Sequence, residues 1–310
     1  MKNLCFSILL FISSNITAAE IKEIISPFPP GGATSVFTRI VQQHLMDDLG
    51  ANYILIHKPG ADGIIGTRYV ANKHADGNTL ITAGSGPFMT NLVMYNDLKY
   101  NYLDFDFVLP MASSPYVLVV SNKTKIQNLE EFIKSAQNGK LNCGTSFSGA
   151  AFLTKYLIKE LGLNNLQIIP FKGSMEVITN LMGGNIDCSF DTMQAMIDFH
   201  KEGKVRIIAV ASKEKHPKLP GVQLLKEVLP NGVFSTWYGM AMLKKSPESD
   251  KGKLFSFFQN LQQNSRYREQ LTALNLEIHV PEKNAQKFIE IEYNRYEAIR
   301  RQLKIDKIDN

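Results

Sequence analysis

The sequence predicts an α/β fold with mainly parallel sheets, and three observations carry this prediction. Short apolar segments typical of strands alternate with helical segments along most of the chain. Both halves repeat one theme, in which a strand leads into a loop rich in glycine or serine and then into a helix. The 310 residues suffice for about two domains of ~150 residues each.

The first half begins with a strand at residues 21–26, followed by a loop and a helix over 36–49. In that helix the apolar residues Val36, Phe37, Ile40, Val41 and Leu45 share one face. Gly50 is a natural helix end. The pattern then predicts a strand at 53–57, a helix at 67–72 and a strand at 79–83.

A long apolar stretch at 107–121 predicts a crossing into a second domain. There we expect helices at 129–138, 150–161, 175–182 and 193–202, and strands at 141–145, 167–171, 186–190 and 205–212. Residues 235–243 return the chain to the first domain, on which helices within 254–303 are expected to pack. Domain 1 is therefore predicted at 20–115 and 240–310, and domain 2 at 116–239.

Residues 1–19 have the pattern of a secretory signal peptide. Lys2 gives a basic start, residues 4–12 are apolar apart from Ser7, and small residues ending at Ala19 offer a cleavage site. The apolar run is too short to span a bilayer, which disfavours an uncleaved anchor. Cys5 stands at the start of this run rather than after it, so it is a poor lipidation site.

Composition excludes some function classes. The formal charge is +5, but the basic residues are scattered, so no nucleic-acid surface is predicted. The six histidines are dispersed without a His-x-x-x-His pair, and neither a metal nor a cofactor is expected. Export would permit a Cys143–Cys188 disulfide, but two buried free thiols are favoured because cysteine packs well as a small apolar residue.

The loop that precedes the first helix predicts an anion site. Its residues Gly31, Gly32, Ala33, Thr34 and Ser35 combine a flexible backbone with the start of a helix. A helix start offers unpaired N–H donors and the positive end of the helix dipole. We expect Thr34 or Ser35 to cap the helix and to offer a hydroxyl to the ligand. Taken alone, such a loop more often simply connects a strand to a helix.

The second half supplies a matching loop, made of Ser146, Phe147, Ser148, Gly149 and Ala150. Its hydroxyl and N–H groups open the helix at 150–161, although a routine helix cap is the alternative interpretation. In open α/β sheets ligands bind beyond the carboxyl ends of the strands, and two such domains that face each other would form a cleft with one helix start on each side.

Two further candidates follow strands at the same sheet ends. Ser85 stands in the loop Gly84-Ser85-Gly86, after the third strand. Asp191 follows the strand at 186–190, where it either contacts the ligand or caps the next helix.

Seven sequence blocks, in this order, resemble the periplasmic solute-binding component of tripartite tricarboxylate transporters, the Bug or TctC family. They are Pro27-Phe28-Pro29-Pro30-Gly31-Gly32, Lys58-Pro59-Gly60-Ala61-Asp62-Gly63, Ala75-Asp76-Gly77-Asn78-Thr79-Leu80, Pro170-Phe171-Lys172-Gly173, Leu181-Met182-Gly183-Gly184-Asn185-Ile186-Asp187, Gly203-Lys204-Val205-Arg206 and Trp237-Tyr238-Gly239. The resemblance covers essentially the whole mature chain.

The resemblance implies a bilobed type II periplasmic binding protein fold, in which two α/β domains are joined by two crossing strands. It also implies a periplasmic monomer that captures a small carboxylate and delivers it to a permease with one large and one small membrane subunit. Arg39 and Lys172 match family residues, and we favour structural roles for both. This chain has Ser35 where the family usually has Asp, and Phe152 where it often has His.

Two other functions are alternatives to carboxylate capture for a permease. The same closing protein could serve as a sensory module that presents its closed form to a membrane receptor kinase. A serine hydrolase is disfavoured because Gly144-Thr145-Ser146-Phe147-Ser148 ends in serine where the Gly-x-Ser-x-Gly motif needs glycine. No histidine or acid stands in a motif that would activate Ser146, so no catalytic residue is predicted.

Overall fold

The computed structural model describes residues 21–278 and 285–309, except for the side chains of residues 109–111. The predicted signal peptide at 1–19 therefore lies outside the described residues, as does His279. None of the helices in the described ranges is long and apolar enough to cross a membrane.

Lobe 1 is built on three parallel strands with β1 in the middle, because β1 pairs with both β2 and β3. Its elements are β1 (Lys22–Ser26), α1 (Ala33–Leu49), β2 (Tyr53–His57), α2 (Ile64–Ala71) and β3 (Thr79–Gly84). A turn of π-helix at Gly86–Thr90 follows β3 and continues as α3 (Asn91–Met94).

Two long strands carry the chain between the lobes. They are β4 (Phe105–Ser121) and β10 (Ser235–Leu243), which pair antiparallel with each other. In lobe 1 β10 pairs with β3. In lobe 2 the strands are β5 (Leu141–Thr145), β6 (Leu166–Pro170), β7 (Cys188–Thr192) and β8 (Val205–Val210), and β4 pairs with β7 and β8. The strand order β2-β1-β3-β10-β4-β7-β5-β6 thus forms one sheet through both lobes. The predicted bilobed α/β fold with two crossing strands is confirmed.

Lobe 2 repeats the alternation of strand and helix. Its elements are α4 (Leu129–Asn138), β5 (Leu141–Thr145), α5 (Ser148–Leu161), β6 (Leu166–Pro170), α6 (Ser174–Gly183), β7 (Cys188–Thr192), α7 (Met193–Lys201), β8 (Val205–Val210) and β9 (Gln223–Leu224). The chain then returns through β10 to α8 (Glu248–Leu261), α9 (Ser265–Ala273) and α10 (Ala285–Gln302).

Each lobe buries apolar side chains on both faces of its sheet. Neighbouring residues of a strand point to opposite faces, so Ile24 and Ile25 of β1 belong to different apolar clusters. The same alternation separates Val117 from Leu118 in β4. The sheet is therefore a central layer covered by helices on both sides, which leaves its strand ends and the following loops to form sites.

The C-terminal helices divide between the lobes. Leu254 of α8 and Tyr267 of α9 pack in the lobe 1 cluster that contains Ile24. Helix α10 packs on both lobes: its first turns contribute Ile289 to lobe 1, and its last turns contribute Tyr296 to lobe 2. The sequence pattern predicted packing on domain 1 alone, because an apolar stripe does not reveal that its two ends have different partners.

Cys143 and Cys188 are register partners on the neighbouring strands β5 and β7. Both thiols are free and buried, as the sequence analysis favoured. Burial raises the pKa of the Cys188 thiol well above its usual value, so this group stays protonated and behaves as an apolar side chain.

Candidate functional site

Helix α1 begins three residues earlier than the sequence predicts, at Ala33. Gly32 is the N-cap residue, with an extended backbone, and its carbonyl accepts a hydrogen bond from the Val36 N–H at 3.0 Å. Thr34 and Ser35 therefore lie inside the first turn, and the prediction that one of them caps the helix is wrong. Ser35 is fully buried, and its hydroxyl has no hydrogen-bond partner among the described residues.

The loop before α1 is open to solvent. Gly31 and Gly32 are both exposed, and a Cβ atom added at Gly31 would meet no atom within 4 Å. The same addition at Gly32 would meet only the Pro29 carbonyl oxygen, at 3.9 Å. Gly31 has φ = +88°, a conformation that favours glycine. This half of the predicted site is therefore accessible.

Helix α5 begins at Ser148, two residues earlier than predicted. Phe147 is its N-cap residue and makes no side-chain capping bond, so the routine serine cap is wrong here. The Ser148 N–H instead donates to Asp62 Oδ2 at 2.8 Å. Asp62 belongs to the loop between β2 and α2, so a carboxylate from lobe 1 lies at a helix start of lobe 2.

Asp62 is the functional candidate that the sequence analysis missed. Its block was used only for the resemblance, and its contact with Ser148 joins residues 86 positions apart. No local signal distinguished it, because Asp followed by Gly is a common pair in purely structural turns. A Cβ atom added at Gly86 would lie 3.6 Å from Asp62 Oδ2, so Asp62 also lies against the segment that follows β3.

Hydroxyl groups from the crossing strands continue the site. Ser85 is buried beyond the end of β3, and its hydroxyl donates to Thr236 Oγ1 of β10 at 3.1 Å. Tyr116 of β4 also hydrogen-bonds Ser85, while burial raises the pKa of the phenol well above its usual value. Gly149 packs directly on this tyrosine, because a Cβ atom there would collide with Tyr116 Oη. The geometry explains why α5 needs a glycine at that position.

Asp191 is fully buried in β7, which extends two residues further than predicted. Its carboxylate accepts hydrogen bonds from Ser146 Oγ at 3.1 Å, Ser174 Oγ at 3.0 Å and the Thr192 N–H at 2.7 Å. Burial outweighs these bonds and raises the pKa of Asp191 to about 6. The capping alternative for Asp191 is wrong, because the cap of α7 is the Thr192 hydroxyl, which accepts from the Ala195 N–H.

The structure thus brings five of the eleven predicted site residues into a polar row along the strand ends. Tyr238 of β10 also hydrogen-bonds Thr236, and burial raises the pKa of its phenol well above the usual value. The loop before α1 reaches the row through the Phe28 ring, which comes within 3.9 Å of a Cβ atom added at Gly86. Members predicted from sequence are Ser85, Ser146, Ser148, Gly149 and Asp191.

Other residues singled out in the sequence lie away from this row. Arg39 and Lys172 are both exposed. Phe152 is fully buried in the lobe 2 core, with its ring 5.1 Å from that of Tyr296, so it does not contact a solute. Ala150, the residue after Gly149 in α5, is fully buried in the same apolar core.

The arrangement lacks the parts of a hydrolase. Among the described residues, Ser146 Oγ hydrogen-bonds only Asp191 and Ser174, neither of which is the histidine that a serine nucleophile usually requires. Residues 21–278 and 285–309 also contain no cluster of side chains that could hold a metal ion. What the row offers is a set of N–H and hydroxyl donors around an enclosed carboxylate.

Comparisons with known proteins agree with this chemistry. A family model described as tripartite tricarboxylate transporter family receptor matches residues 37–305. BugT of Bordetella pertussis is 30% identical over 236 residues, which are 74% of this chain and 72% of that protein.

Two solved structures show the same fold. The protein Rpa4515 of R. palustris, with adipate, has a TM-score of 0.83 and 22% identity, over 93% of this chain and 98% of that chain. MatC from Rhodopseudomonas palustris, with bound malate, has a TM-score of 0.79 and 24% identity, over 90% of this chain and 98% of that chain.

Proposed function

The chain belongs to the tripartite tricarboxylate transporter receptor family, a family of periplasmic binding proteins rather than enzymes. From this premise we propose that it captures a small carboxylate between its lobes and delivers it to a membrane permease of two subunits. The proposal includes export to the periplasm with cleavage near Ala19, and function as a monomer.

One observation carries the choice of ligand class. The Ser148 N–H at the start of α5 already holds a carboxylate, that of Asp62, at 2.8 Å. A helix start favours an anion by about 0.3–1 kcal/mol when exposed and by up to ~2 kcal/mol when partly buried. Hydrogen bonds to a charged acceptor are shorter and stronger than neutral ones. This position therefore suits a carboxylate without a cationic side chain.

Neither of the two helix starts is capped by the side chain of its own N-cap residue, which is Gly32 in α1 and Phe147 in α5. The starts of α2, α6 and α8 also lack side-chain caps, whereas α4 and α9 are capped by the side chains of Asn128 and Asn264. Uncapped N–H groups need a partner from elsewhere, and a solute bound between the lobes would provide one.

We assign direct ligand contacts to the backbone and hydroxyl groups at the edges of the cleft. These are Gly31, Gly32, Ala33 and Thr34 at α1, Ser148, Gly149 and Ala150 at α5, and Ser85 beyond β3. Ser35, Ser146 and Asp191 are better suited to positioning. Ser35 is buried, and Ser146 is hydrogen-bonded to Asp191, which fixes the loop before α5.

Dicarboxylates are the ligands we favour. Two helix starts on opposing lobes match two carboxylates at the ends of one short molecule. The relatives of this fold that were solved with adipate and with malate each hold a dicarboxylate. A solute that contacts both lobes favours the closed state, because only that state offers both sets of donors, and the permease would recognise this state.

A thermal-shift screen of the mature protein tests the proposal. Malate, adipate and tricarboxylates are compared with neutral sugars and with amines at equal concentration. A ligand at 100 times its dissociation constant stabilises the native state by about 2.7 kcal/mol, which raises the melting temperature by several degrees. Shifts with sugars or amines, and none with carboxylates at millimolar concentration, would overturn the proposal.

A further inference from the structure

We propose that Asp62 is a tethered carboxylate that occupies the helix start of α5 in the solute-free protein and leaves when an anionic solute binds there. The inference rests on the proposed function, because it concerns the same site. It adds an internal competitor, which sets the affinity of the site and holds the lobes closed without solute.

The geometry shows the contact that this role requires. Asp62 lies in lobe 1 and Ser148 in lobe 2, so their 2.8 Å hydrogen bond spans the cleft. The same carboxylate oxygen lies against Gly86, beyond β3. The side chain of Asp62 is therefore at the position where the proposed function places a carboxylate of the solute.

The loop that carries Asp62 is held in an uncommon conformation. Gly60, Ala61, Asp62 and Gly63 have φ angles of 133°, 47°, 49° and 87°. Positive φ is uncommon for residues other than glycine, and aspartate tolerates it better than most. The side chain of Asn91 donates to the Asp62 carbonyl oxygen at 2.9 Å, which fixes the residue.

The next residue leaves this loop little freedom to shift. A Cβ atom added at Gly63 would lie 2.7 Å from Pro87 Cγ and 3.2 Å from the tip of the Phe28 ring. The Gly63 carbonyl oxygen in turn accepts from Thr67 Oγ1 at 2.9 Å. The backbone therefore stays in place, and release of the carboxylate requires only a rotation of the Asp62 side chain.

The charge of Asp62 argues for displacement rather than shared occupancy. Within residues 21–278 and 285–309, Asp62 forms no ion pair, and the titratable groups that respond to its charge are Tyr95, Tyr100 and Tyr116. The residue is half-buried, and enclosure of its carboxylate raises the pKa, against the effect of the Ser148 hydrogen bonds. A second carboxylate beside it would meet a like charge in a poorly solvated place.

The experiment compares the affinity of four proteins for malate and adipate by calorimetry at neutral pH. Asp62→Asn removes the charge, and Asp62→Gly removes the side chain in a conformation that suits glycine. Asp97→Asn is the matched control, because Asp97 also has φ = 49° but pairs with Lys99 on the surface, with its side chain 70% exposed.

We expect the dissociation constant to fall about tenfold in Asp62→Gly, since one charge-assisted hydrogen bond no longer has to be broken. Asp62→Asn should show a fall of at least threefold, and Asp97→Asn should match the wild type. X-ray scattering without solute should show a larger radius of gyration for Asp62→Gly than for the wild type, because the cross-lobe bond is gone.

The outcomes separate the two proposals. If the wild type binds carboxylates and both Asp62 variants change the affinity by less than threefold or weaken it, Asp62 is not a competitor, and the proposed function stands. If no protein of the set binds any carboxylate while neutral or cationic solutes bind, the proposed function itself fails. A variant that fails to fold is recognised by its circular dichroism, and the other Asp62 variant then decides.

Discussion

The starts of α1 and α5 look alike in sequence but differ in the folded protein. Both follow a strand and a small polar loop, and neither has a side-chain cap. The start of α1 is open, with exposed glycines, whereas the start of α5 is packed against Tyr116 and bonded to Asp62. The difference arises because a third loop, outside both motifs, supplies the occupant. A matching pair of motifs thus predicts two sites but not their occupancy.

The largest effect is expected from Ser148→Pro. Proline removes the N–H donor yet suits the first position of a helix, and Phe147 before it is already extended. In the Asp62→Gly background, where no internal carboxylate bonds this N–H in the solute-free protein, loss of a hydrogen bond to a charged group costs about 1.5–3 kcal/mol, so carboxylate affinity should fall at least tenfold by calorimetry.

Ser265→Pro is the matched control for this change. Ser265 is the first residue of α9 and is exposed, and Asn264 caps that helix through the Tyr267 N–H. This variant should bind carboxylates as the wild type does. Unchanged affinity when Ser148→Pro is added to Asp62→Gly would show that the start of α5 is not part of the ligand site.

Asp191→Asn is expected to affect the pH dependence of stability rather than a direct ligand contact, because Asp191 fixes the loop before α5 through Ser146. The pKa of Asp191 is raised from 3.8 to about 6, so between these pH values the folded protein keeps a proton that the unfolded chain has lost. Stability should therefore decrease as pH rises through this window, by at most about 3 kcal/mol.

Urea unfolding at pH 4, 5, 6 and 7 measures this dependence. The Asn variant should lack the part of the decrease that Asp191 causes, because its side chain does not titrate. Equal pH slopes for the two proteins would contradict the shifted pKa.

The smallest effect is expected from Gly32→Val at the start of α1. There is room for the side chain, since the nearest atom to an added Cβ is 3.9 Å away, so the protein should fold. Valine shields the first N–H groups of α1, and carboxylate affinity should fall about fivefold, or roughly 1 kcal/mol.

Gly221→Val serves as the control for this variant, because an added Cβ there meets no atom within 4 Å. If Gly32→Val and Gly221→Val both bind normally, the open helix start of α1 takes no part in binding. The ligand site would then include the start of α5 but not the start of α1.

Much of the fold could be predicted because its signals are local. The strands at 53–57, 141–145 and 235–243 have the predicted bounds, since apolar runs between turn residues mark them clearly. The starts of α1 and α5 were placed two or three residues late. Apolar periodicity does not reach into a first turn that lacks a capping side chain.

The candidate site was predictable only in part. Ser85, Ser148 and Asp191 follow from their positions after strands, which is a sequence property. The contact of Asp62 with Ser148 spans the cleft, and the link of Ser85 to Thr236 joins the end of β3 to the neighbouring strand β10; both pairs are distant in sequence, and no local pattern encodes them. The strand β7 ends two residues later than predicted for a similar reason. Asp191 is polar, and it lies in a buried strand because its carboxylate is hydrogen-bonded to Ser146 and Ser174, which are distant in sequence.

Helix α10 has a consequence for how the lobes separate. It lies along both apolar cores, and Tyr293 near its middle packs against the clusters of both lobes, as does Tyr95 next to α3. Because these two rings contact both apolar cores, a wider cleft requires one half of α10 to move relative to the core on which it packs. The stiffness of that movement is then set by side chains that never touch a solute, and affinity can be tuned from the back of the molecule.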